Sequence, residues 1–209
     1  MSMSKNLSVS DNRSIGRQKR LIGDRKSAIP RLFKKGRRMH IEDALREDLD
    51  IVGILNEAEV PHVNSIDADG FFWFLGRADY FRVARDGDAI MGFLIGFLPG
   101  RPYDSLNYRW FSDRYPSFLY VDRIVVSPAA RGRGVGRALY RDFTLFATGR
   151  VDHLTCEVNL RPPNDGSLRF HRSFGFVEVG RQETEGGSKE VSLMAMNLTV
   201  AAPHGQNNA

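Results

Sequence analysis

The segment FLYVDRIVVSPAARGRGVGRALY, residues 118–140, decides how this chain is read. Its first nine residues are apolar on both faces of a period-two alternation, the pattern of a central strand covered from both sides. From Val135 onward, Leu139, Phe143 and Phe146 recur at helical spacing while Arg137, Arg141 and Thr144 fall on the other face. Between the two lie Gly132, Gly134 and Gly136, interleaved with Arg131, Arg133 and Arg137. The first NH groups of a helix lack intrahelical partners, and its dipole favours negative charge there. Glycine lets an anion reach that backbone without meeting a Cβ, and the arginines add charge, so the segment predicts a phosphate-binding turn. The spacing rejects two familiar alternatives. A dinucleotide fold needs G-x-G-x-x-G, whereas the third glycine here comes one residue early, and a P-loop needs a lysine that is missing.

Outward from this segment the chain alternates strands and helices. MHIEDA at residues 39–44 reads as a short strand, residues 44–58 as a helix striped by Leu45, Leu49, Val52 and Leu55, and residues 67–78 as a second helix. YFRVARDGDAIMGFLIGFL, residues 80–98, predicts a hairpin turning at Asp86-Gly87. Residues 99–116, bounded by two prolines and rich in Tyr and Trp, read as a long connection without regular structure, of the kind that carries function. Beyond the helix at 136–148, HLTCEVNL (153–160) is the next strand. A short helix follows at 167–174, and two strands meet around Gly186-Gly187.

Composition bounds the function. The net charge of +5 is uneven: residues 1–38 hold twelve Lys or Arg against two Asp, leaving −5 for the remainder. The basic segment has few apolar residues and is expected to be a disordered extension, a transit-peptide-like stretch, or sequence preceding a true start at Met39. Any nucleic-acid partner is expected to act through it. The globular domain is placed at 39–198 and a flexible tail at 199–209. No apolar stretch reaches the ~20 residues that span a bilayer, so no membrane partner is expected. The single Cys156 can build neither an internal disulfide nor a multi-cysteine metal site, which fits a cytoplasmic setting and no metal cofactor.

Arg131, Gly134 and Gly136 form R-x-x-G-x-G, preceded by V-x-P in Val126 and Pro128. Downstream, NDGSLRFHRSFGF supplies Asn164, Ser167, Phe170, His171, Gly175 and Phe176 in an N-x-x-A, aromatic-pair, G-F arrangement. On these residues the chain resembles the GNAT superfamily of acyl-CoA-dependent N-acyltransferases over about 160 residues. The resemblance implies an α/β fold of the α+β type, a mixed, mostly antiparallel sheet flanked by helices, with an acyl-CoA cleft between the fourth and fifth strands. It implies acetyl-CoA as acyl donor, with its pyrophosphate on Arg131, Gly132, Arg133, Gly134, Val135, Gly136 and Arg137. The pantetheine arm is expected along the backbone of Ile124, Val125 and Val126, beside Asn159, Asn164, Ser167 and Phe170. A small-molecule or peptide amine is the expected acceptor, and a homodimer is an open expectation.

Transfer to an amine needs a group to take the proton of the ammonium form. Asp122 and Glu157 are the candidates, and a salt bridge with a neighbouring arginine is the competing role for either. His171 stands where many members of the family carry a tyrosine as general acid. It is either a substitute proton donor or a helix residue pointing elsewhere, and Tyr120 is a second candidate donor. Cys156 has no histidine beside it on its strand, which argues against an acyl-cysteine intermediate. Tyr103, Tyr108, Trp110 and Tyr120, with Phe111 and Tyr115, are expected to wall the acceptor pocket. An acyl-CoA-binding module without turnover is the rival reading, motivated by the missing tyrosine.

Overall fold

The computed structural model describes residues 39–199, which lie within one compact unit. The basic extension at 1–38 and all but the first residue of the expected tail at 199–209 lie outside the described residues. Seven strands form one sheet: β1 (His40–Asp43), β2 (Tyr80–Asp86), β3 (Ala89–Phe97), β4 (Phe118–Val126), β5 (His153–Arg161), β6 (Val177–Thr184) and β7 (Lys189–Asn197). Their spatial order is β1-β2-β3-β4-β5-β7-β6, antiparallel throughout except for the parallel pair β4–β5. This is the mixed, mostly antiparallel sheet that the resemblance implies. No helix of the described residues is long and apolar enough to cross a membrane.

Five helices cover the sheet: α1 (Leu49–Glu57), α2 (Ala68–Arg77), α3 (Leu106–Ser112), α4 (Val135–Ala147) and α5 (Asp165–Phe174). On one face Val52 and Leu55 of α1, Phe71 and Phe74 of α2, and Tyr108 and Phe111 of α3 join Phe93, Phe97, Phe118 and Tyr120 in a single buried cluster. Large side chains of this kind each contribute about 1.5–3 kcal/mol on leaving water. On the other face Tyr140 of α4 gathers Phe143, Phe170, Phe174 and Phe176 around its ring.

Two expectations need correction. The connection at 99–116 is not free of regular structure, because α3 forms within it, with the Ser105 side chain capping the Tyr108 NH at 3.3 Å. The signal was the i, i+3 pair Tyr108 and Phe111 behind a serine cap. The first helix also begins later than expected. Residues 46–48 make a 3₁₀ turn, and Leu45 stays half exposed instead of joining the buried stripe.

The break in the sheet creates the site. The β4–β5 ladder runs from Phe118–His153 to Val121–Cys156 and stops there. On their outer edges both strands stay paired, β4 with β3 as far as Val126 and β5 with β7 as far as Arg161. In the β3–β4 ladder Ile95 pairs with Arg123 and Gly96 with Val121, so Asp122 is an extra, bulged residue at the point of separation. A bulge increases local twist, which turns β4 away from β5.

Candidate active site

The parted strands open into a cleft of about 950 Å³ that runs from the glycine turn, between β4 and β5, to the α1–α2 and β6–β7 loops. At one end, Gly132 and Gly134 have φ of 75° and 82°, the left-handed region that glycine enters without strain. A Cβ built on either meets no atom within 4 Å, so both face open space. Gly134 is the N-cap of α4 and caps it without any side-chain hydrogen bond. The first turn of α4 therefore has NH groups without a side-chain partner, and its residues Val135 and Gly136 line the cleft beside Gly134. Gly136 differs: its Cβ would stand 3.3 Å from the Phe170 ring, so its smallness serves the close approach of α4 and α5.

The three arginines divide. Arg131 and Arg137 line the cleft, with Arg131 in an ion pair to Glu59 of the α1–α2 loop. Arg133 does not line it; its guanidinium reaches Asp86 at the end of β2, 3.3 Å away. Ile124 and Val126 line the cleft, whereas Val125, paired with Phe93 of β3 and with its side chain buried in the core, does not. Asn159, Asn164, Ser167 and Phe170 also line it. Three of these four already hold protein partners. Asn159 donates to the His62 carbonyl at 3.3 Å, Asn164 caps α5 by accepting from the Ser167 NH at 3.1 Å, and the Ser167 hydroxyl lies 3.2 Å from His171 Nδ1.

Where the strands part, the two carboxylates have opposite surroundings. Asp122 pairs with the Nε of Arg123 at 2.7 Å and accepts from the Tyr103 hydroxyl. Arg123 in turn donates to Asn56 at 3.0 Å and lies over the Phe74 ring. The salt bridge weighed from sequence is therefore present. Glu157, the first residue of β5 beyond the paired ladder, receives no such cation. Its carboxylate accepts from the Tyr120 hydroxyl at 2.7 Å, and burial, assisted by the charge of Asp122, pushes its pKa up to about 7. The hydrogen bond from Tyr120 works in the other direction, because it favours the charged form. Such a group titrates where a general base is most effective.

His171 is 3% exposed and borders the cleft, yet both ring nitrogens are engaged inside the protein. Nδ1 lies 2.8 Å from the Ser167 carbonyl, which can only accept, so Nδ1 carries the proton. Nε2, 2.7 Å from the Tyr140 hydroxyl, then accepts from it. Desolvation lowers the His171 pKa and favours this neutral form. Cys156 is buried, and that burial pushes its thiol up.

Of the expected acceptor wall, only Tyr103 lines the cleft, its ring stacked on Phe97 at 4.4 Å. Tyr108 donates to the Leu98 carbonyl at 2.7 Å and accepts from the Arg101 NH, anchoring the loop before α3. Trp110 packs on Gly180 of β6, where a Cβ would come within 2.6 Å of its ring. Phe111 belongs to the core, Tyr115 meets the His153 ring edge-on, and Tyr120, fully buried, reaches the site only through Glu157. For Tyr108 and Phe111 the cause is α3, whose buried face they form, and Tyr120 points into the core from β4. The cleft is lined instead by His62 and Asn64 of the α1–α2 loop, by Asn107, and by Glu185 and Lys189 at the β6–β7 loop. The segments 61–67 and 99–116, expected from the resemblance to build the acceptor pocket, contain the first three, whereas Glu185 and Lys189 were missed because a polar turn between two strands carries no site signal in sequence. Lys189 ties two of those loops together, donating to Asn64 at 2.6 Å and pairing with Glu185 at 2.8 Å.

Comparison with known proteins places this geometry. The model of the "Acetyltransferase (GNAT) family" matches residues 43–176. The chain is 46% identical over 68 residues to the N-alpha-acetyltransferase RimI of Mycobacterium tuberculosis, a match spanning 32% of this chain and 40% of that relative. Its fold resembles the crystal structure of the ribosomal-protein-S18-alanine N-acetyltransferase from Escherichia coli, at TM-score 0.60 and 18% identity over 80% of this chain and 98% of the other. It also resembles yncA of Salmonella typhimurium, a structure with acetyl-CoA, at TM-score 0.60 and 19% identity over 79% of this chain and 96% of the other. With its glycine turn at the N-terminus of α4 and its sheet parted between β4 and β5, the chain belongs to the GNAT family of acetyltransferases.

Proposed function

We propose that this acetyltransferase moves the acetyl group of acetyl-CoA to a primary amine by direct attack within a ternary complex, with Glu157 as general base. The observation that carries the reading is the placement of the Glu157 carboxylate, bonded to Tyr120, at the first residue of β5 beyond the β4 ladder, where desolvation pushes its pKa up to about 7. The donor supplies an activated thioester when bound. The cleft fits it: the open, left-handed Gly132 and Gly134 and the start of α4 offer backbone NH groups to a pyrophosphate, and Arg131 and Arg137 offer charge. The β4 edge from Ile124 to Val126, unpaired on its β5 side, holds the pantetheine arm. Its NH groups also stabilise negative charge on the thioester oxygen. Direct transfer is favoured because Cys156 is buried and has its thiol pKa pushed up.

The acceptor class follows from proton energetics. An α-ammonium group, with pKa ~7.7–8.0, gives its proton to a base with pKa of about 7 at a cost of about one unit, whereas a lysine at ~10.4 does so about three units uphill. Each unit is about 1.4 kcal/mol, so a peptide N-terminus is the preferred acceptor. The identity with a protein named N-alpha-acetyltransferase points the same way.

The test is release of free coenzyme A thiol by the full chain with acetyl-CoA and a panel of peptides carrying either a free α-amine or only a lysine amine. Turnover on α-amines that falls ~10²–10⁴-fold in Glu157→Gln supports the proposal. Equal turnover by the variant, or none by the wild type on any amine, overturns it.

A further inference from the structure

The loop between α1 and α2 borders the cleft and is fastened to its other walls at three places. Glu59 pairs with Arg131 of the glycine turn, the His62 carbonyl accepts from Asn159 of β5 at 3.3 Å, and the Asn64 side chain accepts from Lys189 of β7 at 2.6 Å. The Asn64 end has further anchors, its carbonyl accepting from Asn56 at 2.9 Å and from Arg123 at 3.4 Å. The other two fastenings fall on residues expected to hold the donor, Arg131 at its pyrophosphate and Asn159 beside its pantetheine arm. The loop and the donor therefore call on the same two side chains.

We infer that Glu59 is an internal competitor for Arg131, so that a pyrophosphate entering the glycine turn displaces it and releases residues 59–63 from the cleft while Asn64 stays fastened. This rests on the donor binding at that turn. A guanidinium binds a pyrophosphate, which carries more charge and more acceptor oxygens, in preference to one carboxylate. Arg137 also lines the cleft and forms no ion pair among the described residues, so it meets the anion first. The Glu59 side chain is only 16% exposed, against 58% for Arg131, so the carboxylate is the partner that depends on the pair. Once Arg131 turns away, Glu59 is a largely desolvated charge without its cation, beside an anion of the same sign. Moving into water relieves both penalties. The backbone follows, because the Glu59 carbonyl accepts from the His62 and Val63 NH groups at 2.8 and 3.3 Å.

The experiment is calorimetric titration of the full chain with acetyl-CoA, for wild type, Glu59→Gln, Arg131→Gln and the double variant. Glu59→Gln keeps the shape of the side chain and removes its charge. Its affinity for acetyl-CoA rises about two- to fivefold, and the rise vanishes when Arg131 is also replaced. Unchanged or weaker binding by Glu59→Gln overturns the inference. So does a gain that persists in the double variant, which would report only the loss of a negative charge near an anionic ligand. Hydrogen exchange on the wild-type chain needs no variant and reads the release: acetyl-CoA speeds exchange of the amides in 59–63, and slower or unchanged exchange there overturns it. Failure of the wild type to bind acetyl-CoA at all removes the donor site itself, whereas binding without the Glu59 effect removes only the competition.

Discussion

The hydroxyl of Tyr120 donates a 2.7 Å hydrogen bond to Glu157, although the backbone partner of Tyr120 in the ladder is Thr155, two residues earlier. The bond spans the two strands at the point where their backbone pairing has ended. It links the fully buried core to the single carboxylate in the gap that lacks an arginine.

Tyr120→Phe should leave the fold intact, because the ring remains in the core, but it removes a donor that stabilises the charged carboxylate. Glu157 then titrates above its present value of about 7, and the acid limb of the rate profile moves to higher pH. At pH 7 kcat falls by roughly three- to tenfold, with recovery at alkaline pH. A profile that drops without moving would assign Tyr120 to packing alone.

The division among the arginines predicts a contrast in donor binding. Arg131→Gln should weaken acetyl-CoA binding by roughly three- to tenfold, a modest factor because the side chain is more than half exposed and screened. Arg133→Gln should leave the affinity unchanged, since its guanidinium serves Asp86. Calorimetry with acetyl-CoA on both variants reads this directly, and a larger loss from Arg133 would contradict the geometry.

His171 and Glu157 give stability opposite dependences on pH. The folded-state pKa of His171 is lowered below ~6.5, so its contribution is complete above that value and is lost as acid protonates the unfolded chain preferentially. Glu157 is raised from 4.5 to about 7, so its contribution is complete below 4.5 and is lost as pH rises through 7. Denaturant melts should therefore show His171→Phe losing less stability than wild type between pH 6.5 and pH 5, and Glu157→Gln losing less between pH 5 and pH 8. Tyr140→Phe should cost about 1–3 kcal/mol at pH 7, because it leaves the buried His171 Nε2 without a donor. If the His171 variant keeps the wild-type slope on the acid side, the neutral tautomer bonded to Tyr140 is wrong.

The sequence by itself determined the strand, the glycine turn and the helix of residues 118–147. Each is local: an apolar alternation, glycines able to take positive φ, and a 3.6-residue stripe specify backbone conformation within a few residues. The parting of β4 from β5 was expected from the resemblance, and its agent, the bulge at Asp122, emerged only from pairing with β3. Tertiary structure alone decided the side-chain roles. Asp122 and Glu157 read alike as carboxylates in apolar strands. One meets Arg123 and Tyr103, and the other meets Tyr120 where the strands part. His171 was weighed as a proton donor until Tyr140, 31 residues away, took its second nitrogen. The aromatics of α3 read as a pocket wall, and burial drew them into the core. A residue's backbone preference is carried by its neighbours in sequence. Its charge, tautomer and exposure depend on desolvation and on partners that only the folded chain brings together.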